Sequence, residues 1–69
     1  RSAKTKLAST EEEISKLELL IEETQQKLAS PELAADFEEL MRLSAQLEEA
    51  QNKTNSLYEQ WEALQSEDE

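Results

Sequence analysis

Glycine, cysteine and histidine are all absent from this chain, proline occurs once, and there is one each of Phe, Tyr and Trp. Each absence removes a class of function. Without Cys and His there is no thiolate nucleophile, no disulfide staple, no usual zinc ligand and no side chain that ordinarily titrates near neutral pH. No apolar run approaches the roughly 20 residues of a membrane-spanning helix, so no membrane partner is expected. The opening stretch RSAKTKLAST lacks the apolar centre of a signal peptide. At 69 residues the chain holds at most one small domain with a modest core, which argues against an enzyme fold. It begins at Arg1 rather than Met and reads as a piece of something longer, a start that processing or a cloning scar would equally produce.

What is present is charge. The net charge is −10, from 17 acidic and 7 basic side chains. Such a balance repels phosphate backbones, since nucleic-acid binders normally present a basic patch. Three of the positive charges, Arg1, Lys4 and Lys6, nevertheless cluster at the start, and Glu67, Asp68 and Glu69 close the chain. High charge with modest hydrophobicity also fits disorder, but the periodicity argues for order.

Leu7, Ile14, Ile21 and Leu28 recur every seven residues, with Thr10, Leu17 and Thr24 three positions behind the first three of them. This is the a/d frame of a coiled coil. Further on, Leu33, Leu40, Leu47, Thr54 and Trp61 form one such series and Leu43, Ala50, Leu57 and Leu64 the other, with Phe37 and Tyr58 flanking at e positions. The expected core is Leu7, Ile14, Leu17, Ile21, Leu28, Leu40, Leu43, Leu47, Leu57, Tyr58, Trp61 and Leu64, with no cofactor pocket. Four acid-to-base pairs at i, i+4 share the helical register: Glu12 with Lys16, Glu23 with Lys27, Glu38 with Arg42 and Glu49 with Lys53. Ser9 or Thr10 ahead of Glu11, Glu12 and Glu13 offers one helix start. A start near Ala3 is favoured, because Leu7 already belongs to the heptad series.

Pro31 interrupts the first series. It lacks an amide proton and disfavours helical geometry at Ser30, so one continuous helix would suffer by about 3 kcal/mol. Ser30 is a good N-cap and Pro31 a good first helical residue. Asp36 followed by Glu39 offers a second start just before Phe37, with Pro31 to Ala35 as a short helical turn. The expected fold is all-α: a monomeric, antiparallel two-helix coiled-coil hairpin, helices over about 3–29 and 37–66, a corner over 30–36 built on Ser30, Pro31, Asp36 and Phe37, and a length of roughly 40 Å at 1.5 Å per residue. A broken rod that dimerises is the rival, and heptads do not separate the two.

The stretch LASPELAADFEELMRLSAQLEEAQNKTNSLYEQWEAL resembles the C-terminal coiled-coil domain of ABC-F family ATPases. The likeness rests on Ser30, Pro31, Glu32, Asp36, Phe37, Glu38 and Leu40 at the corner, and on Leu57, Tyr58, Glu59, Trp61, Glu62 and Leu64 in a LYExWExL ending. The corner alone also resembles the N-terminal helical region of bacterial peptide chain release factors; the ending favours ABC-F. The resemblance implies a cytoplasmic parent with two ATP-binding cassettes using ATP and magnesium. Many members act on the ribosome near the exit tRNA site, some confer antibiotic resistance, and one branch carries a DNA-binding hairpin. A chain without glycine contains no phosphate-binding G-x-x-x-x-G-K-[ST] loop, so it cannot hydrolyse ATP that way.

Three function classes follow. A non-catalytic interaction or spacer hairpin of such an ATPase, contacting the ribosome or another protein, is the leading one. The second is a nucleic-acid-binding tip at Arg1, Lys4 and Lys6. It is disfavoured because the family's basic start, typically KKLSYKEQRE, survives here only as Lys4, Lys6 and Leu7. The third is an enzyme using Glu11, Glu12, Glu22, Glu23, Glu38 and Glu39. Neighbours on a helix diverge by about 100°, so those carboxylates read as a solvated face with no catalytic, cofactor or metal site.

Overall fold

The computed structural model describes residues 3–67. Helix α1 covers Ala3–Leu28, a 3-10 turn covers Pro31–Ala35, and helix α2 covers Phe37–Glu67. Among the described residues there is no strand. The two helices pack antiparallel as a hairpin measuring 51 × 16 × 14 Å. The long dimension exceeds the 40 Å expectation because α2 runs for 31 residues and the corner adds to it.

Helix α1 stops because Pro31 holds Ser30 in an extended conformation, φ −70° and ψ 128°. The last carbonyls of α1 are then satisfied by tightened bonds. The Ala29 amide donates to both Gln25 O (3.1 Å) and Gln26 O (3.2 Å), and the Ser30 amide donates to Lys27 O (3.1 Å). No described residue takes a positive φ. A chain without glycine thus turns its corner using only ordinary backbone conformations.

The short turn over Pro31–Ala35 and the start of α2 capped by Asp36 agree with the sequence expectation, whereas the role of the Ser30 side chain and the reciprocal Glu39 bond differ. Ser30 occupies the N-cap position of the 3-10 turn, but its hydroxyl makes no capping bond; its carbonyl accepts from the Leu33 amide at 3.1 Å. Asp36 is the side-chain cap. Its Oδ1 accepts the Glu39 amide at 3.1 Å and its carbonyl accepts the Leu40 amide at 2.9 Å, an arrangement that stabilises a helix by about 1 kcal/mol. The reciprocal half of a capping box is missing because the Asp36 amide is already donated to Leu33 O at 2.9 Å, while the Glu39 carboxylate grips Arg42.

Fully buried positions are Thr10, Ile14, Thr24, Leu43, Ala50, Thr54 and Leu57, all on the heptad frame. Leu7, Leu17, Ile21, Leu28, Leu40, Leu47, Trp61 and Leu64 are half-buried, as two helices alone cannot enclose a side chain on every side. The threonines fit the interior by local bonds: Thr24 Oγ1 donates to Leu20 O at 2.7 Å and Thr54 Oγ1 to Ala50 O at 2.8 Å. Gln46 Nε2 then donates across the seam to Thr24 Oγ1 at 3.1 Å. Among the described residues no buried side-chain polar atom lacks a partner.

Two sequence expectations need correction here. Tyr58 does not belong to the core: it is 42% exposed. An e position lies on the rim of the seam, and its hydroxyl reaches a solvated carboxylate that full burial would strip of water. The Glu38–Arg42 pair is replaced by Glu39–Arg42, in which the guanidinium donates to both carboxylate oxygens at 2.9 and 2.6 Å. Among the described residues Lys16, Lys27 and Lys53 form no ion pair with the acids four positions before them. At an exposed surface the entropy of two long side chains offsets most of such a pair's attraction.

Candidate functional site

Three places on the hairpin concentrate chemistry: its open end, its corner and one flank. At the open end α1 begins without an acid in its first turn and α2 finishes without a base in its last. At the corner Lys27 closes α1 and Glu38 and Glu39 open α2 in accord with the usual dipole preference, whereas at this end each helix taken singly opposes it. Antiparallel packing reverses this, because the start of α1 lies beside the end of α2. Lys6 shares a groove with Gln60, Leu64 and Glu67, so basic charge sits next to the electronegative end of the neighbouring helix and acidic charge next to the electropositive one. Lys4 is exposed on the same turn as Lys6. Arg1, the third candidate nucleic-acid contact, lies outside the described residues.

At the corner, Lys27, Ser30, Leu33, Asp36 and Glu39 line a shallow groove floored by Leu43. The Arg42 hydrogen bond lowers the Glu39 carboxyl below its ordinary value, with Lys27 across the corner adding a smaller electrostatic pull. Arg42 is raised in turn by the same hydrogen bond. Phe37 is the first residue of α2 and is 70% exposed, and Met41 one turn later is 55% exposed. Phe37 therefore marks the corner without filling it.

The flank is where the helices are tied by side chains far apart in sequence. Tyr58 Oη donates to Glu18 Oε2 at 2.7 Å, and Trp61 Nε1 donates to Glu11 Oε2 at 2.8 Å. Hydrogen bonding to Glu18 is the main cause that raises the Tyr58 hydroxyl above its usual value of 10.0, because ionising it would set two negative charges together. Neither Glu11 nor Glu18 was identifiable as a tie from the sequence. Each lies 40 or more positions from its partner, and only the register between helices brings them together.

Among the remaining candidate carboxylates, Glu12, Glu22, Glu23 and Glu38 are exposed on diverging faces. Among the described residues no group of three or more Asp or Glu side chains comes together to hold a metal ion, and no helix is long and apolar enough to cross a membrane.

A proline-cornered, acidic helical hairpin with an aromatic pair near the end of its second helix defines an all-α two-helix coiled-coil domain. A sequence profile described as the ABC transporter C-terminal domain matches residues 1–66. The chain belongs to that family and is a domain of an ABC-type ATP-binding protein. No curated protein and no solved structure matches it.

Proposed function

We propose that this hairpin is a non-catalytic arm of an ABC-F type ATP-binding protein of the cytoplasm, acting at the ribosome through its shape and charged surface. The parent's cassettes would use ATP and magnesium; the hairpin itself carries none of that chemistry. The observation that supports this reading most is the shape: a 51 Å hairpin only 16 × 14 Å in section, suited to reach across a surface rather than to enclose a substrate. Sedimenting the 69-residue chain with purified ribosomes at about 150 mM salt tests it. Saturable co-sedimentation, displaced by excess unlabelled chain, is the expected result. Its absence refutes the assignment.

Direct binding to duplex nucleic acid is a poorer reading. Lys6 lies in a groove with Glu67, and even three phosphate contacts from Arg1, Lys4 and Lys6 would give a salt slope near −3 at most, at about −0.9 per contact. Weak or no binding to duplex DNA or RNA is expected at about 150 mM salt. Micromolar affinity lost on changing Lys4 and Lys6 to Glu would reverse the preference.

A further inference from the structure

The Tyr58 and Trp61 flank does more than tie the helices. The two rings stand one turn apart on α2 and, with Glu11, Ser15 and Glu18 of α1, line an open groove of about 220 Å³ floored by buried Ile14. Glu11 and Glu18 each accept one bond, from a neutral ring donor and through Oε2. Among the described residues no cation pairs with either of them. The groove thus combines two carboxylates that no described cation pairs with and two aromatic rings whose polar hydrogens are already donated.

We propose that this groove binds an arginine side chain presented by a basic protein segment. A guanidinium is planar and weakly hydrated, stacks on aromatic faces, and offers N–H groups in a fork that suits a carboxylate. Glu11 and Glu18 lie two helical turns apart on one side of α1, and each has only Oε2 engaged by a ring donor, which leaves a second carboxylate oxygen on either to accept from a guanidinium. A lysine ammonium would gain the charge attraction but not the stacking of a planar guanidinium. The surrounding charge of −10 favours a basic partner generally, and the rings select among basic side chains. The proposal does not depend on the ribosome reading.

Trp61 is the chain's single tryptophan, so its fluorescence reports on the groove directly. The intact chain is titrated with hexa-arginine and, separately, hexa-lysine peptides at about 150 mM salt. Binding of hexa-arginine should perturb Trp61 and be about two- to fivefold tighter than hexa-lysine, the range of one exposed cation–π contact. The Glu11→Gln/Glu18→Gln chain keeps both ties, because an amide carbonyl still accepts the ring donors, and should lose the arginine preference. Glu22→Gln/Glu23→Gln removes equal charge elsewhere and should retain it. Equal affinity for both peptides, or a preference surviving Glu11→Gln/Glu18→Gln, overturns the proposal. Should that variant unfold, nitrogen–proton NMR of the unaltered chain decides. Hexa-arginine shifts centred on the Trp61 indole and Ser15 amide support the groove, and shifts centred elsewhere refute it. Neither failure bears on ribosome co-sedimentation.

Discussion

Replacing Thr24 with Val tests the polar layer at the centre of the seam. Thr24 is the most enclosed side chain, 2% exposed. Its hydroxyl donates to Leu20 O at 2.7 Å and accepts from Gln46 Nε2 at 3.1 Å. Valine keeps the shape and exchanges the hydroxyl for a methyl. The Leu20 carbonyl still accepts its helical amide bond, and half-buried Gln46 can turn its amide to water, so no buried group is orphaned. The loss is then the net value of two hydrogen bonds, together about 1 to 3 kcal/mol, against a gain of about 0.8 kcal/mol for the added buried methyl. Monomer stability should therefore fall by about 0 to 2 kcal/mol. Specificity is another matter, because a seam polar at one layer tolerates fewer alternative pairings than a continuous apolar one. Urea unfolding followed by circular dichroism at two protein concentrations measures the first effect, and sedimentation equilibrium the second. A loss above about 3 kcal/mol would show that Gln46 is sealed from water and left unpaired. A strictly monomeric, equally stable Thr24→Val would show that the layer does not restrict self-association.

Changing Pro31 to Ala restores an amide donor and frees Ser30 to become helical, so extended, self-associating species should appear in sedimentation equilibrium; unchanged mass and stability would contradict the corner's assigned role. Trp61→Ala removes a half-buried ring and its bond to Glu11, and should lower urea-measured stability by about 2 to 3 kcal/mol, less than the 3 to 5 of a fully buried tryptophan. A change below about 0.5 kcal/mol would mean the ring contributes no packing. Tyr58 has a folded-state pKa raised above its usual 10.0. Its contribution to stability is therefore complete below that value and is lost as pH rises through the folded-state value. Thermal melts across this alkaline range should show the parent losing more than Tyr58→Phe, which has no hydroxyl to ionise; parallel losses would refute the tie.

The heptads located the hairpin because side chains seven apart on a helix share a face whatever partner they meet. Thr10, Ile14, Thr24, Leu43, Ala50, Thr54 and Leu57 were thus placed before any helix was paired with another. Thr10, Thr24, Ala50 and Thr54 are nevertheless absent from the expected core, because a short or polar side chain does not announce its burial; Thr24 and Thr54 tolerate it by satisfying their own hydroxyls four residues back. The flank was illegible for the opposite reason. Tyr58 meets Glu18 and Trp61 meets Glu11 only once the corner has fixed how far α2 slides along α1, and no spacing within either segment encodes that offset. Arg42 had acids at both three and four positions before it, both in the first turn of α2, and spacing alone does not choose Glu39 over Glu38.

The slenderness of the hairpin has a mechanical consequence. Each layer of the seam touches only the layers on either side, so a ligand gripping one end has no second packing to trip at the other. What the hairpin transmits is displacement. Over 51 Å, a rigid-body tilt of about 5° at the open end sweeps the corner through roughly 4 Å. Held at its open end, such a rod would act as a lever, turning a small rotation there into a shift at the corner the size of a side chain.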